Sequence, residues 1–197
     1  MNIESSPIIA SVMDGVHHGP SASINGVAFD SRMLTKGNAF VALKDQRDGH
    51  DYADQAIEKG ASVLIVERLL PIDVPQIVVK NTLKALTKWS QWHRLRSSAK
   101  VIGVTGSCGK TTFKNLLTHV LSVYGPTIST YRNLNNDLGV PMTLLHMEPK
   151  HRYAVIEMGA SGPGDIDHLA QTVACDVSVI TCAAPAHLDR FRTLAGV

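Results

Sequence analysis

The sequence predicts an α/β protein in two parts: a small N-terminal α/β domain over residues 1–98 and a second domain with a mainly parallel sheet over residues 99–197. Three observations predict it. Short strand-like runs alternate with helical patterns along the chain. In the second part the alternation of helices with apolar strands signals a parallel sheet covered on both faces. Finally, the polar residues Arg96, Ser97 and Ser98 separate a long helical pattern from a fresh strand at Val101.

In the first part, AFVAL (39–43) and SVLIV (62–66) are strands. Between them DYADQAIEKGA sets Tyr52, Ala53, Ala56 and Ile57 on a short helix that Gly60 ends. QIVVK (76–80) follows a proline-containing turn as a third strand. LKALTKWSQWHRL then repeats apolar residues at Leu83, Leu86, Trp89 and Trp92 or His93, a helix of about four turns. The second part reads as strand 101–105, helix 111–124, strand 127–130, a helix after Pro141, strand 153–158, helix 165–172 and strand 177–181. In the first of these helices Phe113, Leu116, Leu117, Val120, Leu121 and Tyr124 share one face, which predicts that this face packs on the sheet.

Composition narrows the function classes. With 44% apolar and 18% charged residues the chain lies far from the disordered class and is long enough to bury a core. A formal charge of +2, with acids and bases interspersed, offers no basic stripe to nucleic acid or anionic lipid. No apolar run approaches the roughly 20 residues that cross a bilayer, and MNIESSPIIA lacks the basic-then-apolar order of a signal peptide. Cys108, Cys175 and Cys182 are odd in number and form no CxxC pair, against a disulfide framework or zinc knuckle. A soluble, cytoplasmic protein is the expectation.

The chemistry concentrates at Thr105-Gly106-Ser107-Cys108-Gly109-Lys110-Thr111-Thr112, between a strand and a helix. Glycines there permit close backbone approach, successive N–H groups face an anion, and the helix N-terminus adds partial positive charge. Lys110 is then placed for the β- and γ-phosphates of a nucleotide, and the Thr111 hydroxyl for Mg²⁺. The strict G-x-x-x-x-G-K-[ST] pattern is not met, because Val104 stands where its first glycine belongs. A glycine turn without function is the plain alternative.

Glu157 interrupts the otherwise apolar strand YAVIEM, where an unpaired carboxylate would be costly. At the carboxyl end of a parallel strand it would face the same crevice as the loop, as a Mg²⁺ ligand or, alternatively, paired with a nearby base. His187, in AAPAHLDRF, sits at that edge by the same reasoning, though Mg²⁺ prefers oxygen ligands. NLNNDLGVP (133–141) is compatible with a simple asparagine-rich turn.

Together these pieces resemble the Mur ligases, the ATP-dependent amide ligases of bacterial peptidoglycan precursor synthesis. TGSCGKTT, NLNNDLGVPMTLL, YAVIEMGAS and AHLDRF stand in that family's order and spacing. FDSRMLTKGNAFVALKDQRDGHDYADQAIEKGA resembles the uridine-nucleotide domain of the members that add the third residue and the terminal dipeptide, and NLNNDLGVPMTLL is similar to the latter.

The resemblance implies that ATP phosphorylates the carboxylate of UDP-MurNAc-tripeptide to an acyl phosphate, which the amine of D-Ala-D-Ala attacks. It implies ATP held by residues Thr105 to Thr112, with Lys110, Glu157 and His187 catalytic and Mg²⁺ on Thr111 and Glu157. It implies a second metal helped by His187, Asn135 and Asn136 near the substrate, and Ser31, Arg32, Asp45, Gln46 and Arg47 at the uridine diphosphate end. A monomer at full length is also implied.

Departures stand beside these matches. Cys182 occupies a position where the family usually has Asn, Arg192 one where it has Gly, and Gly162-Pro163-Gly164-Asp165 one where it tends to Asn-His then Gly-Glu. The chain reaches Val197 before the family's lysine-bearing segment and C-terminal domain. The expectation is therefore an incomplete P-loop, mainly parallel-sheet ATPase domain that lacks turnover alone and exposes an associating strand edge. A truncated non-catalytic paralogue that binds the UDP-precursor or nucleotide is the rival reading. An unrelated P-loop kinase is another, and it leaves the first 98 residues idle.

Overall fold

The computed structural model describes residues 4–185 and 188–193 and divides into two compact units, Met1–Trp92 and His93–Val197. The first unit opens with β1 (Glu4–Ser5), α1 (Ser6–Val12), β2 (Val16–His18), β3 (Ser23–Ile24) and β4 (Gly26–Ala28). A 3-10 turn at Ser31–Met33 leads to β5 (Asn38–Val41). A second, Gly49–Tyr52, runs into α2 (Ala53–Glu58), followed by β6 (Val63–Val66), β7 (Gln76–Val78) and α3 (Thr82–Leu95), whose last turn belongs to the second unit.

Strands β4, β5, β6 and β7 are parallel neighbours, and β2 closes the order β2-β7-β6-β5-β4 by pairing antiparallel with β7. The apolar runs of β5 and β6 are buried at every residue, as continuous strands in the middle of a parallel sheet must be. Phe40, Leu64 and Val66 pack with Ala53 and Ala56 of α2 in the core. Gly60 ends this helical segment at φ +90°, where its amide returns to Ile57 O and that of Ala61 to Ala56 O.

The second unit alternates strand and helix: β8 (Lys100–Thr105), α4 (Lys110–Tyr124), β9 (Thr127–Ser129), α5 (Gly139–Leu145), β10 (Tyr153–Glu157), α6 (Asp165–Val173), β11 (Val177–Ile180) and α7 (Leu188–Phe191). Its four strands are parallel in the order β11-β8-β10-β9. One face buries Val101, Ala154 and Ile156 against Val140 and Leu144 of α5 and Leu169 and Val173 of α6. Arg94 ties the end of α3 into this unit, donating to Val173 O, Ala174 O and the Asp176 carboxylate. The Val101 amide donates to the same carboxylate and, with Lys100 and Arg94, holds Asp176 below the usual carboxylate range.

The mixed α/β class and the parallel second sheet agree with the sequence expectation. Two details do not. Of the six apolar positions expected to pack α4 on the sheet, Phe113, Leu117 and Leu121 are half-buried, while Leu116 (64%), Val120 and Tyr124 are exposed. The helix carries two apolar stripes, and only the one flanked by buried Lys114 and half-buried Thr118 faces the strands. The helix expected after Pro141 instead starts at Gly139. Proline is tolerated in the first turn because the amide it lacks would have no intrahelical partner there. No helix among the described residues is long and apolar enough to cross a membrane.

Candidate functional site

Three parallel strands end side by side in the second unit, with Glu157 of β10 in register with Val104 of β8, and Ile180 of β11 with Thr105. Their carboxyl ends form the floor of a crevice, the usual ligand position in such sheets. The loop from Gly106 to Gly109 leaves β8 over this floor and enters α4 at Lys110.

Two glycines shape that loop. Gly106 sits at φ +135°, and a Cβ there would lie 2.3 Å from Thr181 Oγ1 and 2.9 Å from Cys182 O. Gly109, at φ +79°, is the left-handed N-cap that turns the chain into the helix. The loop is fastened to the segment after β11 by several bonds. Ser107 N donates to Cys182 O at 2.8 Å, Ser107 Oγ to Ala184 O at 2.8 Å, and Thr181 Oγ1 to Cys108 O at 2.5 Å. Lys110 Nζ folds back onto Gly106 O at 2.5 Å, capping the concavity with positive charge. An adjoining cleft of about 180 Å³ is lined in part by Thr105, Gly106, Ser107, Lys110, Cys182 and Phe191.

Glu157 is the hub beside the loop. Its side chain is 2% exposed and accepts from Thr111 Oγ1 at 3.0 and 3.2 Å and from Asn135 Nδ2 at 2.8 Å. Lys114, 3% exposed, stands 3.7 Å from Glu157 Oε2 and donates to Thr130 O and Arg132 O at 2.9 and 3.0 Å. Thr130 Oγ1 in turn accepts from Glu157 N. The carboxylate thus meets Thr111 at the start of α4 and is paired with a base, Lys114, the alternative the sequence offered to a Mg²⁺ ligand.

Asn135 reaches that carboxylate, and its carbonyl accepts from Gly159 N at 2.8 Å. Asn136 turns elsewhere, its Oδ1 accepting from Gly139 N at the start of α5. Cys108 is exposed on the loop, and Thr112 is exposed in the first turn of α4. His187 lies outside the described residues. Arg192 adopts φ +65°, a left-handed conformation costing a non-glycine residue about 1–2 kcal/mol, at the position where a glycine was expected. Gly164 and Asp165 of the other divergent stretch start α6, with the Asp165 carboxylate accepting from Ser161 N and Gly162 N.

In the first unit, the carboxyl ends of the parallel neighbours β4 and β5 lead to Ser31-Arg32 and to the exposed Asp45-Gln46-Arg47 loop. Ser31 Oγ donates to Gln55 and Arg47 Nη1 to Tyr52 OH, so both segments rest on the same helical segment. The Arg32 guanidinium grips Asp30 and lowers its carboxyl from the usual value. Asp48 accepts from the backbone N–H of His50 foremost, then from Arg68 and the His50 ring, which keeps it ionised far below the ordinary carboxylate range.

Sequence reasoning missed Lys114 and Thr181. The signal for Lys114 was present: it recurs with Leu117, Thr118 and Leu121 at i+3, i+4 and i+7, a lysine inside the buried stripe. Thr181 carried none, because its contact with Cys108 spans 73 positions.

A strand-loop-helix cradle with a carboxylate at the neighbouring strand's end defines a P-loop-type α/β domain, and the family models name its lineage. The Mur ligase middle domain model matches residues 104–197, and the Mur ligase family catalytic domain model residues 23–91. The chain belongs to the Mur ligase family. It is 43% identical over 190 residues to the UDP-N-acetylmuramoyl-tripeptide–D-alanyl-D-alanine ligase of Escherichia coli K12, covering 96% of this chain and 42% of that relative. The same-named ligase of Bacillus subtilis 168 is 37% identical over 88% of this chain and 39% of its own. The crystal structure of MurF from Acinetobacter baumannii superposes with a TM-score of 0.93 at 37% identity, over all of this chain and 44% of that one. The MurF ligase of Thermotoga maritima in complex with ADP gives 0.78 at 35% identity, over 87% and 40%. The chain thus spans about two-fifths of the length of these relatives.

Proposed function

We propose that this chain supplies the UDP-precursor-binding domain (1–98) and the ATP-binding domain (99–197) of a ligase that joins D-Ala-D-Ala to UDP-MurNAc-tripeptide. The observation that carries the reading is the junction of Thr111 with Glu157 beside the Lys110 loop. Hydroxyl, carboxylate and ammonium there meet the needs of a magnesium-nucleotide, and similar ligases, one of them solved with ADP, share the fold.

The reaction requires an ATP γ-phosphoryl group to reach a carboxylate, so two anions must be held together. The loop amides and the N-terminus of α4 accept phosphate charge, and Lys110 exchanges the Gly106 carbonyl for phosphate oxygen. The carboxylate attacks phosphorus and ADP leaves. The amine of the dipeptide then attacks the acyl carbon, expelling phosphate. Asn135, bonded to Glu157, ties the asparagine loop to the phosphate site and so holds acceptor and donor in register.

The donor set fits Mg²⁺: Thr111 and Glu157 offer hard oxygen ligands, and this ion commonly takes one or two protein oxygens beside phosphates and water. When bound, Mg²⁺ would supply charge neutralisation on the transferring group. In the first unit, Ser31, Arg32 and the Asp45–Arg47 loop would meet the uridine diphosphate, with the arginines facing its charge.

Calorimetry with each ligand separately tests the division of labour. Lys110→Ala should abolish ATP binding and leave UDP-MurNAc-tripeptide binding intact, and Arg47→Ala should do the reverse. ATP binding that is unchanged in Lys110→Ala would overturn the assignment.

A further inference from the structure

Two of the three thiols meet at the phosphate loop. Cys108 is exposed on the loop, Cys182 is part-exposed just beyond β11, and both are free. Their backbones are laced together on either side, by Ser107 N to Cys182 O at 2.8 Å and by Thr181 Oγ1 to Cys108 O at 2.5 Å. These bonds pair Ser107 with Cys182 and Thr181 with Cys108, so each cysteine stands one residue from the other's bonded partner, and a disulfide between them asks for Cα atoms roughly 4.4–6.8 Å apart. The neighbouring Cys108 thiol, with burial, pushes the Cys182 thiol up from its ordinary value. Cys182 also lines the cleft beside Lys110.

We propose that Cys108 and Cys182 are a reversible disulfide site, formed by low-molecular-weight disulfides such as glutathione disulfide, that closes the nucleotide loop. The closing of nucleotide binding rests on the function proposed above; the disulfide itself does not. Exposed Cys108, as thiolate, attacks one sulfur of the small disulfide, whose S–S bond breaks and releases one glutathione thiolate. The Cys182 thiolate then attacks the Cys108 sulfur of the mixed disulfide and expels the second. Both protons pass to the departing thiolates, so two protein thiols become one disulfide and one small disulfide becomes two thiols. The link draws the apex of the loop onto the end of β11, against the backbone that already touches Gly106. Loop amides that would receive a phosphate are then held in the wrong place. Cys175 is excluded from the exchange, because its sulfur bonds Ser178 and packs on Gly103.

The experiment incubates the 197-residue chain with glutathione disulfide. Intact mass should show loss of two hydrogens, a digest should yield one peptide pair joining Cys108 to Cys182, and ADP affinity should fall by about tenfold or more, the worth of one charge-assisted hydrogen bond. Dithiothreitol should restore it, and ADP affinity of Cys182→Ala should not respond to the oxidant. A stable glutathione adduct on Cys108 without the cross-link, or a link involving Cys175, would overturn the proposal. So would a full cross-link with ADP affinity unchanged. If the reduced chain binds no ADP, the nucleotide reading and the gating fall together, while the linked peptide still decides the pairing.

Discussion

Lys114→Met is the most informative single change, because it separates the carboxylate from its buried counter-charge without touching the loop. Lys114 and Glu157 are almost wholly buried 3.7 Å apart, and the ammonium also satisfies two carbonyls, of Thr130 and Arg132. Removing one member of a buried pair typically costs 3–5 kcal/mol, roughly, because the other charge is stranded. Thr111 and Asn135 still donate to the carboxylate, which places the expected loss near the low end, about 3 kcal/mol. With a urea m-value of about 2 kcal/mol/M, the midpoint falls by about 1.5 M. The assay is urea unfolding by circular dichroism of wild type, Lys114→Met, Glu157→Gln and the double variant. The double variant should be more stable than the sum of the singles predicts by about 2 kcal/mol. A loss under about 1 kcal/mol for Lys114→Met, or singles that add, would refute the coupling.

Other expectations follow from individual contacts. Gly106→Ala puts a methyl into Thr181 Oγ1 and the Cys182 backbone at a φ that alanine resists; it should cost about 1–3 kcal/mol in urea unfolding and reduce ADP binding measured by calorimetry. Asp48 has its folded value depressed, so its stabilisation is present above the ordinary carboxylate value and fades as pH falls below it. The wild-type advantage over Asp48→Asn in urea midpoint should therefore be evident at neutral pH and narrow in acid. β11 is the outer strand of its sheet among the described residues, with Val177 and Ile180 (72%) exposed. Light scattering should show concentration-dependent association that Val177→Lys reduces.

The parts legible in the sequence were those with long periodic signals. β8, the loop and α4 announce themselves through an apolar run, two glycines and a lysine-threonine pair, and Glu157 stands out as a charge in an apolar strand. The first 38 residues did not, because β1 and β3 are two residues long and α1 is seven, starting with proline among its first positions. Such elements are set by partners distant in sequence, as when Glu4 pairs with Ile24, and leave no period to read. α4 shows the opposite failure. Its pattern is strong, but it carries two apolar stripes, and nothing local says that Leu117 rather than Leu116 turns inward. Side-chain pairings such as Lys114 with Glu157 arise only when the parallel register brings β10 beside β8.

The magnesium dependence of ADP binding, measured by calorimetry on wild type and Glu157→Gln, tests most directly whether Thr111 and Glu157 form the metal side of the nucleotide site. Mg²⁺ should strengthen ADP binding to wild type by about tenfold or more and leave Glu157→Gln nearly unaffected. An equal response to Mg²⁺ in both proteins would contradict it.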